Sequence, residues 1–419
     1  MKVVVDASCE DDFDPGSLLP AAALERISAS VPRLTATEQL ALRDALGRVL
    51  GSDVRSPVSV PAHANSAMDG YAVRAGDLPA ENTVSLSVIG EAFAGKPYRG
   101  AVGERQAVRI MTGAVVPDGT DTVLMQEQVQ RQGNSITVRA GHKPGQNVRH
   151  AGEDIAEGKV VLCAGRALTP ADLGLAASLG IGALPCRRAL RAAIVSTGDE
   201  LKPVGQALGV GDIYDSNRYT LYGMLTRLNV AVFDKGVVPD DPQRIRAALL
   251  EASAEADVII SSGGVSVGAA DYVKAVLDQI GRIEFWKVAM KPGRPLAFGR
   301  IGDAVFFGLP GNPVSVMVTF YQFVRPALLT MLGCTGAPSL SVRARCLSRL
   351  RKKPGRQEYQ RGILARDGNG ELTVTKTGDQ GSGILSSMSQ ADCFIMLPLE
   401  AGNIEPGAMV EVQPFAGLI

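Results

Sequence analysis

Several things are scarce in this sequence, and each scarcity removes a class of explanation. There are only three histidines. The six cysteines (Cys9, Cys163, Cys186, Cys334, Cys346 and Cys393) are dispersed, with no CxxC pair. A Cys/His zinc site has little to build on, and the cysteines read as reduced, mostly buried small hydrophobes. Neither sign of charge prevails: 43 Lys plus Arg balance 43 Asp plus Glu. That disfavours a general nucleic-acid binder, which carries a basic excess, but leaves room for a local basic pocket. No apolar run reaches the ~18 uninterrupted residues that a membrane span needs. The chain opens Met1-Lys2-Val3-Val4-Val5 and then turns acidic at Glu10, Asp11, Asp12 and Asp14. This is not a secretory signal, so the expectation is a cytoplasmic protein with no membrane contact.

What is present is ordinary globular material, 46% hydrophobic and 21% charged over 419 residues. That composition excludes wholesale disorder and collagen-like structure. At about 100–200 residues per domain, the length allows two to four domains. Glycine is abundant at 47 residues, and many sit in short loops after apolar runs. There a backbone must turn sharply or approach a ligand.

Along the chain, residues 1–17 read as a leader, and Leu18–Ala29 has a short helical pattern. A second helix is expected from the capping-box spacing of Thr35-Ala-Thr-Glu38, with Leu40, Leu42, Leu46, Val49 and Leu50 near helical period and Gly51 as its stop. Residues 56–140 hold short β-favouring runs separated by Gly, Pro and Asn, a small β unit inserted into the mixed helical region 18–55 plus 141–188. In the latter part, Thr169-Pro170 opens a helix that Gly180 closes. Residues 189–334 alternate strand and helix, as a doubly wound α/β domain does. Residues 335–419 carry alternating short strands that fit a β-barrel. The fold class expected is multidomain α/β plus β.

Ligands of an open α/β sheet bind beyond the carboxyl ends of the strands. Three loops leave such ends: Ser196-Thr197-Gly198-Asp199-Glu200, the stretch Ser261–Gly268 with Gly263, Gly264, Ser266 and Gly268, and Gly308–Pro313 with Pro310 and Gly311. Free backbone N–H groups and glycines suit a phosphate-bearing ligand. The common phosphate motifs are absent, and one such loop alone reads as a tight turn; three at one sheet edge point to a site. Glu200, Asp240 and Asp271 lie beside these loops. Acids beside a phosphate need an intervening cation, so they are candidate Mg²⁺ ligands or water-positioning groups. Asp271 equally suits a helix N-cap. Lys287, Lys291 and Arg294 follow on a stretch stiffened by Pro292 and Pro295, and Lys291 and Arg294 suit a small tetrahedral oxyanion. Lys287 alone reads as an exposed basic residue.

Taken together, the segments resemble one family along the chain from about Leu18 onward. The matching strings are Asn65-Ser-Ala-Met-Asp-Gly-Tyr-Ala72, Thr112-Gly-Ala114 with Pro117-Asp-Gly-Thr-Asp121, and Asn147-Val-Arg-His-Ala-Gly-Glu-Asp-Ile155. They continue with Ser196–Leu201, Gly263–Gly268 with Asp271-Tyr272, Met290-Lys-Pro-Gly-Arg-Pro295, Gly308-Leu-Pro-Gly-Asn-Pro313, and Gln380-Gly-Ser-Gly-Ile-Leu385. The chain is identified by them as a member of the molybdopterin molybdenumtransferase family, with bacterial MoeA and the E domains of a plant relative and of gephyrin.

The resemblance implies an elongated homodimer that takes adenylated molybdopterin and molybdate, releases AMP with Mg²⁺, and completes molybdenum cofactor synthesis. It implies a molybdopterin adenylyltransferase and recipient molybdoenzymes as further partners. By family position, Asp69 and Thr112 would reach across the dimer cleft. Glu200, Asp240 and Asp271 would hold the metal. Lys291, Arg294, Arg361 and Ser382 would hold molybdate. Arg149 and Asp154 would orient domains as an ion pair. Two departures stand out. His63 and Ala64 replace an aromatic and an acid common in the family, and His63 reads as a surface or packing residue. Gly383 replaces a second serine, leaving Ser382 to supply the hydroxyl. The alternative functions are a non-catalytic dimeric scaffold and a pterin-nucleotide carrier on the same fold.

Overall fold

A computed structural model describes residues 16–263, 272–336 and 340–415. The middle of the chain builds a six-stranded sheet from β1 (Arg191–Thr197), β2 (Ala231–Val238), β3 (Val258–Ser262), β4 (Gly281–Lys287), β5 (Pro295–Ile301) and β6 (Ala304–Leu309). Their order across the sheet is β2-β1-β3-β6-β5-β4. The first four run parallel, and β5 pairs antiparallel with both of its neighbours, β6 and β4. β3 and β6 are buried throughout, and so is β1 after Arg191. Such unbroken apolar runs are what a sheet covered on both faces requires.

Successive residues of a strand face opposite sides, and two cores result. Ala193, Val195, Ile259 and Phe306 pack with Ile245, Leu249, Val273 and Leu277 from helices Pro242–Glu255 and Tyr272–Ile280. Ile194, Ile260 and Phe307 face the other way. They join Leu221 and Leu225 of helix Ser216–Thr226, Ile27 of helix Pro20–Ser30, and Tyr359 and Phe394 from the C-terminal sheet. That second core ties three parts of the chain together.

A helical stretch runs from Pro313 to Met331, broken by a π-helical turn at Phe320–Val324. By length and composition it could cross a membrane, with mean hydropathy 1.2, but 67% of it is buried inside the protein, as a core helix is.

The N-terminal part corrects one expectation. Thr37–Ala41 is a strand paired antiparallel with Ala183–Arg187, followed by a short 3₁₀ turn at Leu42–Asp44, not a helix. The Glu38 carboxylate meets Arg48 rather than folding back into a capping box. Leu40 lies opposite Leu184, and Leu40 and Leu42 pack on the cluster of Leu50, Leu184 and Cys186. Cross-strand pairing overrides the helical spacing. At Thr169 the helix forms as expected, Pro170–Ser178, with a capping box between Thr169 and Asp172.

Six strands between Gly70 and Arg139 form the inserted sheet; one pairing, Thr83–Ala92 with Gln106–Ile110, is parallel. The C-terminal strands β7 (Val342–Cys346), β8 (Gln357–Arg366), β9 (Leu372–Lys376), β10 (Cys393–Leu397) and β11 (Met409–Pro414) run in the order β8-β9-β7-β11-β10. β10 pairs again with β8, which closes a five-stranded barrel. Met290–Lys291 of the α/β region adds to β8 in parallel.

At the amino edge of the central sheet, Asp257 takes hydrogen bonds from the Arg188 guanidinium at 2.7 and 2.9 Å and from the Arg191 backbone N–H at 2.9 Å. Burial would raise this carboxyl, but the Arg188 and Arg191 bonds outweigh it and hold it down at about 2. A depressed carboxyl stabilises the fold above its unfolded value of 3.8, and that contribution fades as pH falls towards 2. Asp257→Asn is expected to cost about 2 kcal/mol at pH 7. The gap to wild type should narrow between about pH 4 and pH 2. Urea unfolding at stepped pH measures it, and a pH-independent gap would refute the ionic origin.

Candidate functional site

The parallel strands end together. Ser196 is in register with Ser262, and Ser262 with Leu309, so the loops at 197–200, after 262, and at 310–313 leave one edge. β2 and β3 lie on opposite sides of β1, which makes the gap between β1 and β3 a topological switch point, where open sheets bind ligands. The side chains there are hydroxyls. Ser196 Oγ, Thr197 Oγ1 and Ser261 Oγ are buried with no hydrogen-bond partner among the described residues. Buried polar groups are nearly always satisfied, so three such hydroxyls at the strand ends, Ser196 on one face of the sheet and Thr197 and Ser261 on the other, mark an edge where a polar ligand completes the set. The Asn217 amide donates to Ser262 Oγ at 3.0 Å and to the Gly311 carbonyl at 2.7 Å, joining the β3 end to the loop after β6. At Gly263, with φ +93°, a Cβ would lie 2.7 Å from the Thr197 carbonyl oxygen. Four expected residues, Gly264, Ser266, Gly268 and Asp271, lie outside the described residues.

Carboxylates gather beside this edge. Asp199 Oδ1 accepts the Asp240 backbone N–H at 3.2 Å. Burial pushes the Asp240 carboxyl up, and the negative charges of Asp199 and Glu200 push it further. The Glu200 carboxylate lies over Gly198, where a Cβ would meet it at 2.6 Å. Asp241 caps the next helix through the Arg244 N–H at 2.8 Å. Among the described residues no three His, Cys, Asp or Glu side chains converge as a full metal cage. One or two carboxylates are all that Mg²⁺ takes when substrate phosphates and water supply the rest, so the acids present fit it.

A cavity of about 1010 Å³ opens between the α/β region and the barrel. Lys287, Lys291, Arg294, Pro310 and Gly311 line one wall; Gln380, Gly381 and Ser382 line another. Lys291 Nζ stands 3.6 Å from the buried Glu358 carboxylate. Ser382 is fixed from two sides: its hydroxyl accepts from the Asn312 amide at 3.0 Å, and its carbonyl accepts the Val314 N–H at 3.1 Å.

Arg361 does not join this lining. Its side chain is buried at 1% exposure. Nε donates to Ser387 Oγ, Nη1 to the Gln380 carbonyl, and Nη2 to the carbonyls of Asp379 and Gly381. Burial lowers its pKa to about 10. The guanidinium is engaged in holding the loop that presents Ser382. Motif position alone could not separate a ligand from the residue that braces its loop.

Sequence reasoning also missed Asn217 and the basic strap Arg349-Leu-Arg-Lys-Lys-Pro-Gly-Arg356, which lines the barrel side of the cavity. Five cations in eight residues around Pro354-Gly355 were the available signal.

The remaining expected residues lie on the inserted sheet and its junction, and none lines the cavity. Asp69 Oδ1 accepts from both the backbone N–H and the hydroxyl of Thr112, each at 2.8 Å. The Thr112 backbone bond, then its hydroxyl, hold the exposed Asp69 carboxyl below the usual range. Arg149 and Asp154 are both exposed, and no ion pair joins them among the described residues. The Arg149 backbone pairs with Asn65, and the Asp154 N–H bonds the Val60 carbonyl. Backbone pairing, not a charge pair, secures that junction. His63 is exposed.

Arg361→Lys keeps the charge but gives up the planar fork. It is expected to cost about 2 kcal/mol or more in unfolding free energy, because several buried carbonyls lose donors. Hydrogen exchange should quicken at residues 379–382 before the rest of the barrel. Unchanged exchange there would refute the brace.

Comparison with known proteins agrees along the chain. The family description "MoeA N-terminal region (domain I and II)" matches residues 19–180, "Probable molybdopterin binding domain" matches 193–330, and "MoeA C-terminal region (domain IV)" matches 343–415. The chain is 45% identical to a molybdopterin molybdenumtransferase of Haemophilus influenzae, over 95% of this chain and 98% of that one. It is 35% identical to gephyrin of Dictyostelium discoideum, over 89% of this chain and 59% of gephyrin. The crystal structure of a molybdopterin biosynthesis moeA protein from Pyrococcus horikoshii superposes with a TM-score of 0.84 at 30% identity, covering 95% of this chain and 100% of that one. The fold, the sheet-end site and these likenesses agree: the chain belongs to the molybdopterin molybdenumtransferase family, as an enzyme of molybdenum cofactor biosynthesis.

Proposed function

We propose that the chain transfers molybdenum from molybdate to adenylated molybdopterin and releases AMP, with Mg²⁺ at the acidic edge. One observation carries this reading: a cation-lined cavity adjoins the strand ends with their unsatisfied buried hydroxyls, and Asn217 ties Ser262, in register with Ser196, to Gly311 of the cavity lining. An oxyanion and a polar nucleotide-like ligand are thereby offered adjoining places.

Ser196, Thr197 and Ser261 supply hydroxyl donors to the phosphate-bearing ligand, and Gly198 and Gly263 let it approach the backbone. Glu200 and Asp240 would hold Mg²⁺, with Asp271 as a third candidate. When bound, the ion neutralises charge on the phosphoanhydride and lowers the pKa of water beside it. Lys291 and Arg294 hold molybdate by charge, Ser382 adds a hydroxyl, and Pro310 and Pro313 shape the loop between. Pro292 and Pro295 keep the Lys291–Arg294 stretch stiff, so little order is lost on binding. Asp69, held by Thr112, would act on the cleft of a second subunit in a homodimer. Arg149 and Asp154 lie at the junction that sets the inserted sheet's direction.

The gephyrin likeness keeps a scaffold reading in view, since fold alone does not secure catalysis. AMP release from adenylated molybdopterin, with and without molybdate, separates the two. Molybdate-dependent release, with a product that activates a metal-free molybdoenzyme, is expected; binding without release under either condition would overturn the insertase reading. Lys291→Ala with Arg294→Ala should raise the molybdate KM about tenfold or more, with a smaller change in kcat, as loss of ground-state binding does. An unchanged KM would remove both from the oxyanion site. Asp240→Asn should raise the Mg²⁺ needed for half-maximal release by a similar factor, and an unaltered requirement would exclude it as a ligand.

A further inference from the structure

A separate hollow of about 520 Å³ lies away from the basin, between helix Pro20–Ser30 and the outer strands of the central sheet. Arg26 of the helix, Arg282 and Trp286 of β4, and Phe298 and Arg300 of β5 line it. Trp286, the single tryptophan of the chain, is half-buried, and its ring lies 5.5 Å from that of the buried Phe298. Glu284 is the one acid in the lining, and its Oε2 is taken by the Trp286 indole N–H at 2.9 Å. Among the described residues Arg26, Arg282 and Arg300 have no ion pair; Arg300 donates only to the Ser30 carbonyl, at 3.0 Å. The hollow therefore joins an aromatic floor to three cations that no carboxylate offsets.

β4 is the last strand of its sheet among the described residues, and an open edge is a surface that native proteins cover. The chain enters beside that edge. Leu18 N–H donates to the Lys287 carbonyl at 2.7 Å, and Ala289 N–H donates to Leu18 O at 2.8 Å, which pins Leu18 one residue past the end of β4 and close to Trp286. Gly16 lies in a turn, so the ladder need not continue through it. Residues 1–15 lie outside the described residues, but their composition matches the hollow. Asp6, Glu10, Asp11, Asp12 and Asp14 are its acids, no cation stands between Asp6 and Asp14, and Phe13 is set among the last of them. Five extended residues span about 17 Å, which is the length of β4 from Lys287 to Arg282. Phe13 and its neighbouring acids are thus tethered within reach of every cation in the hollow.

We propose that this hollow is the docking site of the chain's own acidic N-terminal segment, Glu10–Asp14, with the carboxylates on Arg26, Arg282 and Arg300 and Phe13 against Trp286 and Phe298. Exposed ion pairs are individually weak, but a tether of a few residues presents the segment at about millimolar effective concentration. Docked there, it covers the open edge of the sheet and ties β4 to helix Pro20–Ser30, whose Ile27 belongs to the core shared with the barrel. The inference is independent of the reaction proposed above.

Trp286 fluorescence tests it, because no other tryptophan contributes. Acrylamide, a neutral quencher, should reach Trp286 poorly in the full chain. Removing residues 1–15 should raise the quenching constant about twofold or more. A synthetic peptide of residues 1–16, added to the shortened chain, should restore the shielding with a Kd of about 1 mM or lower. Raising salt from about 20 mM to about 0.5 M should weaken the peptide at least threefold, as screening requires. In the full chain, Asp11→Asn with Asp12→Asn and Asp14→Asn should quench like the shortened form, and so should Arg26→Gln with Arg282→Gln. Arg131→Gln with Arg139→Gln, two exposed cations on the inserted sheet, should quench like wild type. The docking is refuted if the shortened chain quenches like the full one, if the peptide binds without salt dependence, or if a scrambled peptide of the same composition shields Trp286 as well. Shielding in the full chain that grows with protein concentration would also overturn it, by giving the hollow to a second copy.

Discussion

The site depends on one short junction. Met290 and Lys291 leave the α/β region and pair in parallel with Gln357 and Glu358 of β8, so a single backbone ladder joins the two walls of the cavity. Behind it, one core runs from Ile194 and Phe307 through Phe320 and Tyr321 to Tyr359 and Phe394. Packed interiors are stiff, and a shared core passes that stiffness from the sheet to the barrel. The basin is the groove left above this joint. If the joint slipped by one residue, side chains would exchange faces along the pair, and Lys291 would leave the groove.

The two ends of the site are built by opposite means. At the sheet edge, polarity comes from small buried hydroxyls and from backbone exposed by glycine, with carboxylates crowded enough to raise Asp240. In the basin it comes from long cations on stiff, proline-bearing loops. The first arrangement suits a ligand whose shape must be read closely; the second suits anions that need charge more than fit. Asn217 and the Ser382–Asn312 contact hold the two together.

The central sheet was legible because β1, β3 and β6 each end in a polar or glycine-rich loop after an unbroken apolar run, a pattern that only a sheet covered on both faces tolerates. The helix at Thr169 was legible because its signals, Pro170 at the first position and Gly180 past the end, are wholly local. The segment after Thr35 was misread for the complementary reason. Its partner, Ala183–Arg187, lies far along the chain, and pairing with it decided the outcome. The site shows the same divide. Lys291, Arg294 and Ser382 line one basin although they come from segments far apart in the chain. Arg361, which lies outside those motifs, faces inward, and orientation on a strand is settled by closure of the barrel. The basic strap was visible as composition, but nothing in the sequence says that it curves over the same hollow as Lys291.

The π-helical turn at Phe320–Val324 has a geometric consequence for this joint. An α-helix advances about 100° per residue, so one extra residue in a turn advances the azimuth of all that follows by about that amount. Val314 and Val316 before the turn, and Ala327, Leu328 and Met331 after it, all enter the shared core. The turn acts as a phase offset. It lets one continuous rod address the sheet at its start and the N-terminal helix at its end, with no loop between. Removing a single residue there would turn the rear half of the rod away from its neighbours while leaving every local hydrogen bond available.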